Sequence, residues 1–154
     1  MIQKVRRFYP KVQHVGVLVA PTTDFIRELM PQVELDILQV YNGVPHSPLP
    51  IWQSLIVQSV EDLSQLKPIN ETVIGLHCDA GLGSGKSIPT ELLSHLQSEL
   101  PLIVAGGIGP DNIQEVLRWC EPEVVDVNSQ VESAPGKKDI DKIKTLLKYM
   151  ELCV

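Results

Sequence analysis

Leu102-Ile-Val-Ala-Gly-Gly-Ile-Gly-Pro-Asp111 is the stretch whose reading decides the fold. Its first four residues are continuously apolar, the pattern of a short strand covered on both faces rather than on one. Gly106 and Gly107 then leave backbone N–H groups unobstructed, and Pro110 with Asp111 starts a helix. A buried strand passing through a glycine turn into a helix is one β/α unit of a parallel sheet. The same junction suits an anion, because open amides and a helix start both favour negative charge. A tight turn that merely requires glycine is the plainer alternative.

Outward from this unit the pattern repeats. Apolar or β-branched runs occur at His14–Val19, Asp36–Tyr41, Trp52–Val57, Thr72–Asp79 and Val124–Asn128. Helical stripes alternate with them: Phe25, Ile26, Leu29 and Met30, then Leu92, Leu93, Leu96 and Leu100, then Ile113, Val116, Leu117 and Cys120. Ile140, Ile143, Leu146, Leu147 and Met150 make the last stripe. Val60, Leu63 and Leu66 make a shorter one, opened by Ser59 with Asp62 three residues on, a capping pattern. The expected class is α/β with about six parallel strands and five helices. Only Asn42–Ile51, with its three prolines, has no room for a crossover helix.

Two further strand ends carry candidate chemistry, since working residues in such folds lie past the carboxyl ends of the strands. Asp79 closes the run Ile74-Gly-Leu-His-Cys-Asp79 and precedes a glycine-rich loop, a setting suited to acid–base work. His77 shares its strand face; a satisfied core histidine is the bland reading, a ligand or base the sharp one. Asp126 sits in the otherwise apolar run after Val124, where a lone carboxylate is costly unless paired or used. Ser129 follows, with a hydroxyl and amides that can reach the same anion. Ala80 with Gly85-Lys86-Ser87 also fits a relaxed nucleotide-phosphate loop. Against it, alanine stands where the first glycine belongs, Pro89 sits in the next helix's opening turn, and no later strand ends in a convincing magnesium-binding aspartate.

Composition narrows the class. With 154 residues, 44% hydrophobic and 21% charged, the chain is expected to form one globular domain, residues 1–154. A formal net charge of −6 argues against a nucleic-acid partner. Lys4-Val5-Arg6-Arg7, before Phe8 and Tyr9, reads as a solvated helix end, with a nucleic-acid arm as the alternative. Cys78, Cys120 and Cys153 show no CxxC spacing and read as free thiols rather than a disulfide framework or zinc site. No apolar run reaches membrane-spanning length and the basic start lacks a signal peptide's apolar stretch, so no membrane partner and a cytoplasmic location are expected.

Taken together, these strand ends resemble the phosphoribosylanthranilate isomerase family of tryptophan biosynthesis. The resemblance rests on Val15-Gly-Val-Leu-Val19, Leu35-Asp-Ile-Leu-Gln-Val40, and Asp79 with Gly83-Ser-Gly-Lys86. It continues in Ala105-Gly-Gly-Ile-Gly-Pro-Asp-Asn112, Val125-Asp-Val-Asn-Ser-Gln-Val-Glu132 and Pro135-Gly-Lys-Lys-Asp139. It implies a (β/α)8 TIM barrel catalysing an Amadori rearrangement of a phosphorylated sugar, with neither cofactor nor metal. Asp79 matches the general acid. Gly83, Ser84, Gly85, Gly106, Gly107, Asp126, Ser129 and Gln130 match the substrate and phosphate segments, Gln130 standing where the family has a small residue.

The same resemblance aligns the first strand here with the family's third, so the expected fold is an incomplete barrel, strands 3 to 8. The family's base cysteine lies on its first strand and its anthranilate-binding arginine follows the second. None of the three cysteines here falls on that position. The chain alone is therefore expected to be a weak or inactive isomerase. It is also expected to self-associate, or to take a partner segment that completes the barrel. The alternative is a non-catalytic sugar-phosphate-binding or scaffold protein.

Overall fold

The computed structural model describes residues 2–81 and 86–151. Its strands β1 (Val15–Val19), β2 (Ile37–Tyr41), β3 (Ile51–Ile56), β4 (Val73–Asp79), β5 (Leu102–Val104) and β6 (Val124–Val125) form one sheet in that order. The pairs β1–β2, β2–β3 and β5–β6 run parallel. Helices α1 (Ile2–Phe8), α2 (Thr23–Leu29), α3 (Thr90–Leu93), α4 (Ile113–Cys120) and α5 (Ile140–Glu151) accompany them. Strand order that follows the chain without reversal belongs to a barrel wall, since a doubly wound sheet reverses. The class is α/β, an incomplete (β/α)8 barrel as expected, with six strands in its main sheet and five α-helices among the described residues.

Contacts gather into two compact units, Met1–Ser54 with Pro68–Leu76 and Leu55–Lys67 with His77–Val154. In the first unit β2 is buried throughout. Leu38 and Val40 form a cluster with Ile26 of α2 and Ile51 of β3, against which Leu18, Met30 and Leu35 pack. Alternation puts Gln39 and Tyr41 on the other face, where Gln39 Nε2 donates to the Tyr41 hydroxyl at 3.3 Å. Helix α2 starts because the Thr22 hydroxyl accepts from the Phe25 amide at 3.1 Å, satisfying one orphan donor. After β2 the chain turns through Asn42 and Gly43, both at positive φ, and reaches β3 with no helix between them.

Arg6 in α1 is not merely solvated. Its guanidinium donates to both carboxylate oxygens of Asp36 at 3.1 and 2.9 Å, and the His14 amide donates to Asp36 Oδ2 at 2.7 Å. The clamp ties the helix to the entrance of β1 and β2. These bonds hold the Asp36 carboxyl below the usual carboxylate range, the guanidinium hydrogen bond first among them.

In the second unit the Val60–Leu66 stripe forms a 3₁₀ helix, Glu61–Gln65. Asp62 Oδ2 accepts from the Gln58 and Ser59 amides at 2.9 Å each, so Ser59 and Asp62 do pair, but the helix N-cap is Val60, without a side-chain cap. Helix α3 is a single turn that ends before Leu96 and Leu100. There the Ser98 hydroxyl accepts from the Leu100 amide at 2.9 Å, a local bond that competes with a helix. Strand β6 stops at Val125, short of the expected Asn128. A 3₁₀ turn, Ser129–Val131, follows, then an antiparallel hairpin, β7 (Glu132–Ala134) and β8 (Lys137–Lys138). No helix among the described residues is long and apolar enough to cross a membrane.

Candidate functional site

The candidate residues that can be described all belong to the second unit. Asp79 ends β4, a strand buried except at Ile74. Its side chain is itself buried, at 6% exposure, and Oδ1 accepts from the Gly81 amide at 3.1 Å. The following backbone is pinned as well: Gln58 Nε2 donates to the Ala80 carbonyl at 2.8 Å. Gly83, Ser84 and Gly85 lie outside the described residues.

The junction after β5 is built as its glycines suggest. Gly106 and Gly107 take φ of +94° and +56°, a left-handed pair that side chains with a Cβ disfavour. A Cβ on Gly106 would lie 2.9 Å from the Lys86 carbonyl oxygen and 3.0 Å from the Ala80 amide. Glycine is thus required twice, by conformation and by the approach of the loop that follows Asp79. Successive amides in such a turn form an anion-binding concavity. Asn112 locks it: Oδ1 accepts from the Gly109 amide at 2.9 Å and Nδ2 donates to the Gly107 carbonyl at 3.1 Å.

Ser129 and Gln130 are exposed on the 3₁₀ turn after β6. A Cβ on Gly109 would fall 2.6 Å from Gln130 Cβ, so the two turns touch. The hairpin ties down the residue before this 3₁₀ turn. Lys138 Nζ donates to the Asn128 carbonyl at 2.9 Å and to Glu132 Oε1 at 2.8 Å, which also holds the Glu132 carboxyl below its ordinary range.

Asp126 lies just past β6, its amide donating to the Val104 carbonyl at 2.9 Å. Its carboxylate is not alone: Oδ2 is 3.2 Å from His77 Nε2. The imidazole has no exposure, while the Asp126 side chain is 45% exposed. The cost of a lone carboxylate in that run is legible in the sequence, but its partner is not, because β5 separates the two strands in the sheet.

The remaining motifs resolve simply. Lys86 and Ser87 are not in a helix, and α3 begins only at Thr90 after Pro89; a nucleotide-phosphate loop would open a helix at that lysine. They border, with Val57, Gln58 and Ala80, a cavity of about 270 Å³. Cys78 and Cys120 are free and buried. Burial pushes their thiols up, to about 12 and about 11, which removes them from base chemistry near neutral pH. Cys153 lies outside the described residues. Among the described residues no three His, Cys, Asp or Glu side chains gather as a metal site.

The chain is similar to known proteins of one family. The family described as N-(5'-phosphoribosyl)anthranilate (PRA) isomerase matches residues 1–149. An N-(5'-phosphoribosyl)anthranilate isomerase of Streptococcus mutans is 31% identical over 151 residues, 97% of this chain and 78% of that protein. The structure of mutually generated monomers of the dimeric Thermotoga maritima isomerase superposes with a TM-score of 0.74 at 25% identity, covering 98% of this chain and 79% of that one. A second structure is a PRA isomerase in complex with reduced 1-(o-carboxyphenylamino)-1-deoxyribulose 5-phosphate. It shares the fold at a TM-score of 0.69 and 22% identity, over 98% of this chain and 79% of that one.

Proposed function

The chain belongs to the N-(5'-phosphoribosyl)anthranilate isomerase family, and from that premise we propose that it binds a phosphorylated ribose or ribulose of the tryptophan pathway beside Asp79. The observation that carries the reading is the contact between the turns after β5 and β6, with the loop of Asp79 packed against Gly106. In this reading the amides of Gly106, Gly107 and Ser129 hold the phosphate, with Gln130 at its margin. Asp126 accepts from sugar hydroxyls. Asp79 donates its proton to the ring oxygen as the ring C–O bond opens, the first step of the Amadori rearrangement. Gly83, Ser84 and Gly85, which match the family's substrate and phosphate segments in sequence, belong to the same proposal.

The following step removes a carbon-bound proton and needs a base. Cys78 and Cys120 are buried thiols with raised pKa and do not suit that role. Losing one member of an acid–base pair removes about 10²–10⁴ in rate, so we expect weak turnover from this chain alone. A segment supplying further β/α units would restore it. The edge strand β1 supports such a partner: Val17 and Val19 are 59% and 60% exposed and Phe25 48%, along a cavity of about 460 Å³. Unpaired apolar edges invite pairing with another chain. The same edge supports the second reading, a self-associating, non-catalytic sugar-phosphate binder. The free thiols at Cys78 and Cys120 support a reducing, cytoplasmic setting for either.

An isomerase assay on N-(5'-phosphoribosyl)anthranilate, with and without a fragment carrying the first two β/α units of a relative, separates the readings. Activity that rises on adding the fragment supports the first. Full activity of the chain alone overturns the incomplete-site account. Binding without turnover in both arms favours the second.

A further inference from the structure

The steps above give no role to the buried imidazole of His77. His77 precedes Asp79 by two residues on β4 and therefore shares its face of the strand. It has no exposure to solvent, a position in which an imidazole is costly unless hydrogen-bonded. Its Nε2 meets Asp126 Oδ2 at 3.2 Å. The two belong to alternate strands, β4 and β6, with β5 between them. In a parallel barrel, side chains from alternate strands share a layer, so His77 and Asp126 meet one layer below Asp79.

From this we propose that His77 is a positioning residue, which holds the Asp126 carboxylate as a fixed acceptor for the sugar hydroxyls of the ligand beside Asp79. A carboxylate has about four lone-pair sites, so one hydrogen bond from the imidazole leaves acceptor capacity for hydroxyl donors. The residue is held at both ends, by its amide on Val104 and by His77 on Oδ2. The exposed part of its side chain is thereby oriented before a ligand arrives, and less freedom is lost on binding. A histidine that only fills space would be replaceable by leucine. A positioning histidine is replaceable only by a residue that keeps the N–H, and glutamine carries one at about the reach of Nε2. The inference rests on the isomerase-type reading of the ligand.

The test is calorimetric titration of reduced 1-(o-carboxyphenylamino)-1-deoxyribulose 5-phosphate into the wild-type chain and four variants: His77→Leu, His77→Gln, Asp126→Asn and the His77→Leu/Asp126→Asn pair. Loss of a charge-assisted hydrogen bond predicts about ten-fold weaker binding for His77→Leu and for Asp126→Asn. His77→Gln should stay within about three-fold of wild type, and the double variant should be no weaker than either single one. Equal loss in the Leu and Gln variants, or losses that multiply in the double variant, overturns the proposal while the isomerase reading stands. If His77→Leu does not fold, the Gln variant decides: near-wild-type affinity supports the pair and a ten-fold loss overturns it. A wild-type chain that does not bind the ligand at all overturns the isomerase reading, and this inference falls with it.

Discussion

Gly109→Ala probes the contact between the two turns. Gly109 is buried, and an added Cβ would stand 2.6 Å from Gln130 Cβ and 3.6 Å from its carbonyl oxygen. Carbon atoms prefer about 3.5–4.0 Å, so the Ser129–Gln130 turn must retreat by about 1 Å. The atom in the way is attached directly to the backbone and cannot swing aside. Overpacking of this kind costs about 1–3 kcal/mol. At about 2–4 °C per kcal/mol for a chain of this size, the melting temperature should fall by about 2–12 °C. A misplacement of about 1 Å can cost about 10² in function, so affinity for the ribulose phosphate analogue should fall further than stability implies. Circular dichroism melting and calorimetric titration measure the two effects. Gln130→Gly in the same chain removes the obstructing carbon and should recover most of both. Unchanged melting and affinity in Gly109→Ala, or a double variant no better than the single one, would refute the reasoning.

Gly106→Ala and Gly43→Ala form a pair, since both glycines have strongly positive φ but a Cβ would meet backbone only at Gly106. The left-handed strain of about 1–2 kcal/mol is common to both, so chemical denaturation should show the larger loss at Gly106. Asp36→Asn removes the clamp on Arg6. The folded carboxyl lies below its unfolded value of about 3.9, so its stabilisation is complete above that value and lost as pH falls through the folded one. Wild type should therefore lose stability below about pH 4 more steeply than the Asn variant, as urea melts across that range will show. In a Cys153→Ser background, Cys78 and Cys120 should resist iodoacetamide at about pH 8 until urea unfolds the chain, because the reactive species is the thiolate. Peptide mapping by mass spectrometry reads that out.

How much was legible in the sequence follows from which forces act locally. The strand runs were readable because a strand buried on both faces has no polar residue to interrupt it, as in Leu102–Val104. The turn at Gly106 and Gly107 is readable because paired glycines after an apolar run mark a tight strand-to-helix junction, while their left-handed φ comes from the structure. The hairpin after Val131 was not read: Glu132, Ser133 and Lys138 carry little apolar alternation, and the hairpin is held by Lys138 reaching back to Asn128. The leucine stripe suggests a longer α3 than the structure has, because it continues to Leu100, whose amide instead bonds the Ser98 hydroxyl. Arg6 reads as solvated in the sequence because its partner Asp36 lies 30 residues away. The link between His77 and Asp126, 49 residues apart, was hidden for the same reason, although each was suspected separately.

The proposed site holds one anion between the turns at Gly106–Gly107 and Ser129, with Asp79 beside it. Amide and carboxyl chemical-shift mapping during titration with reduced 1-(o-carboxyphenylamino)-1-deoxyribulose 5-phosphate tests it most directly. The amides of Gly106, Gly107 and Ser129 should shift together, along one saturating curve, with the side-chain carboxyl of Asp79. Saturable binding that moves only the residues around the Gln58, Lys86 and Pro89 cavity, leaving those amides in place, would contradict it.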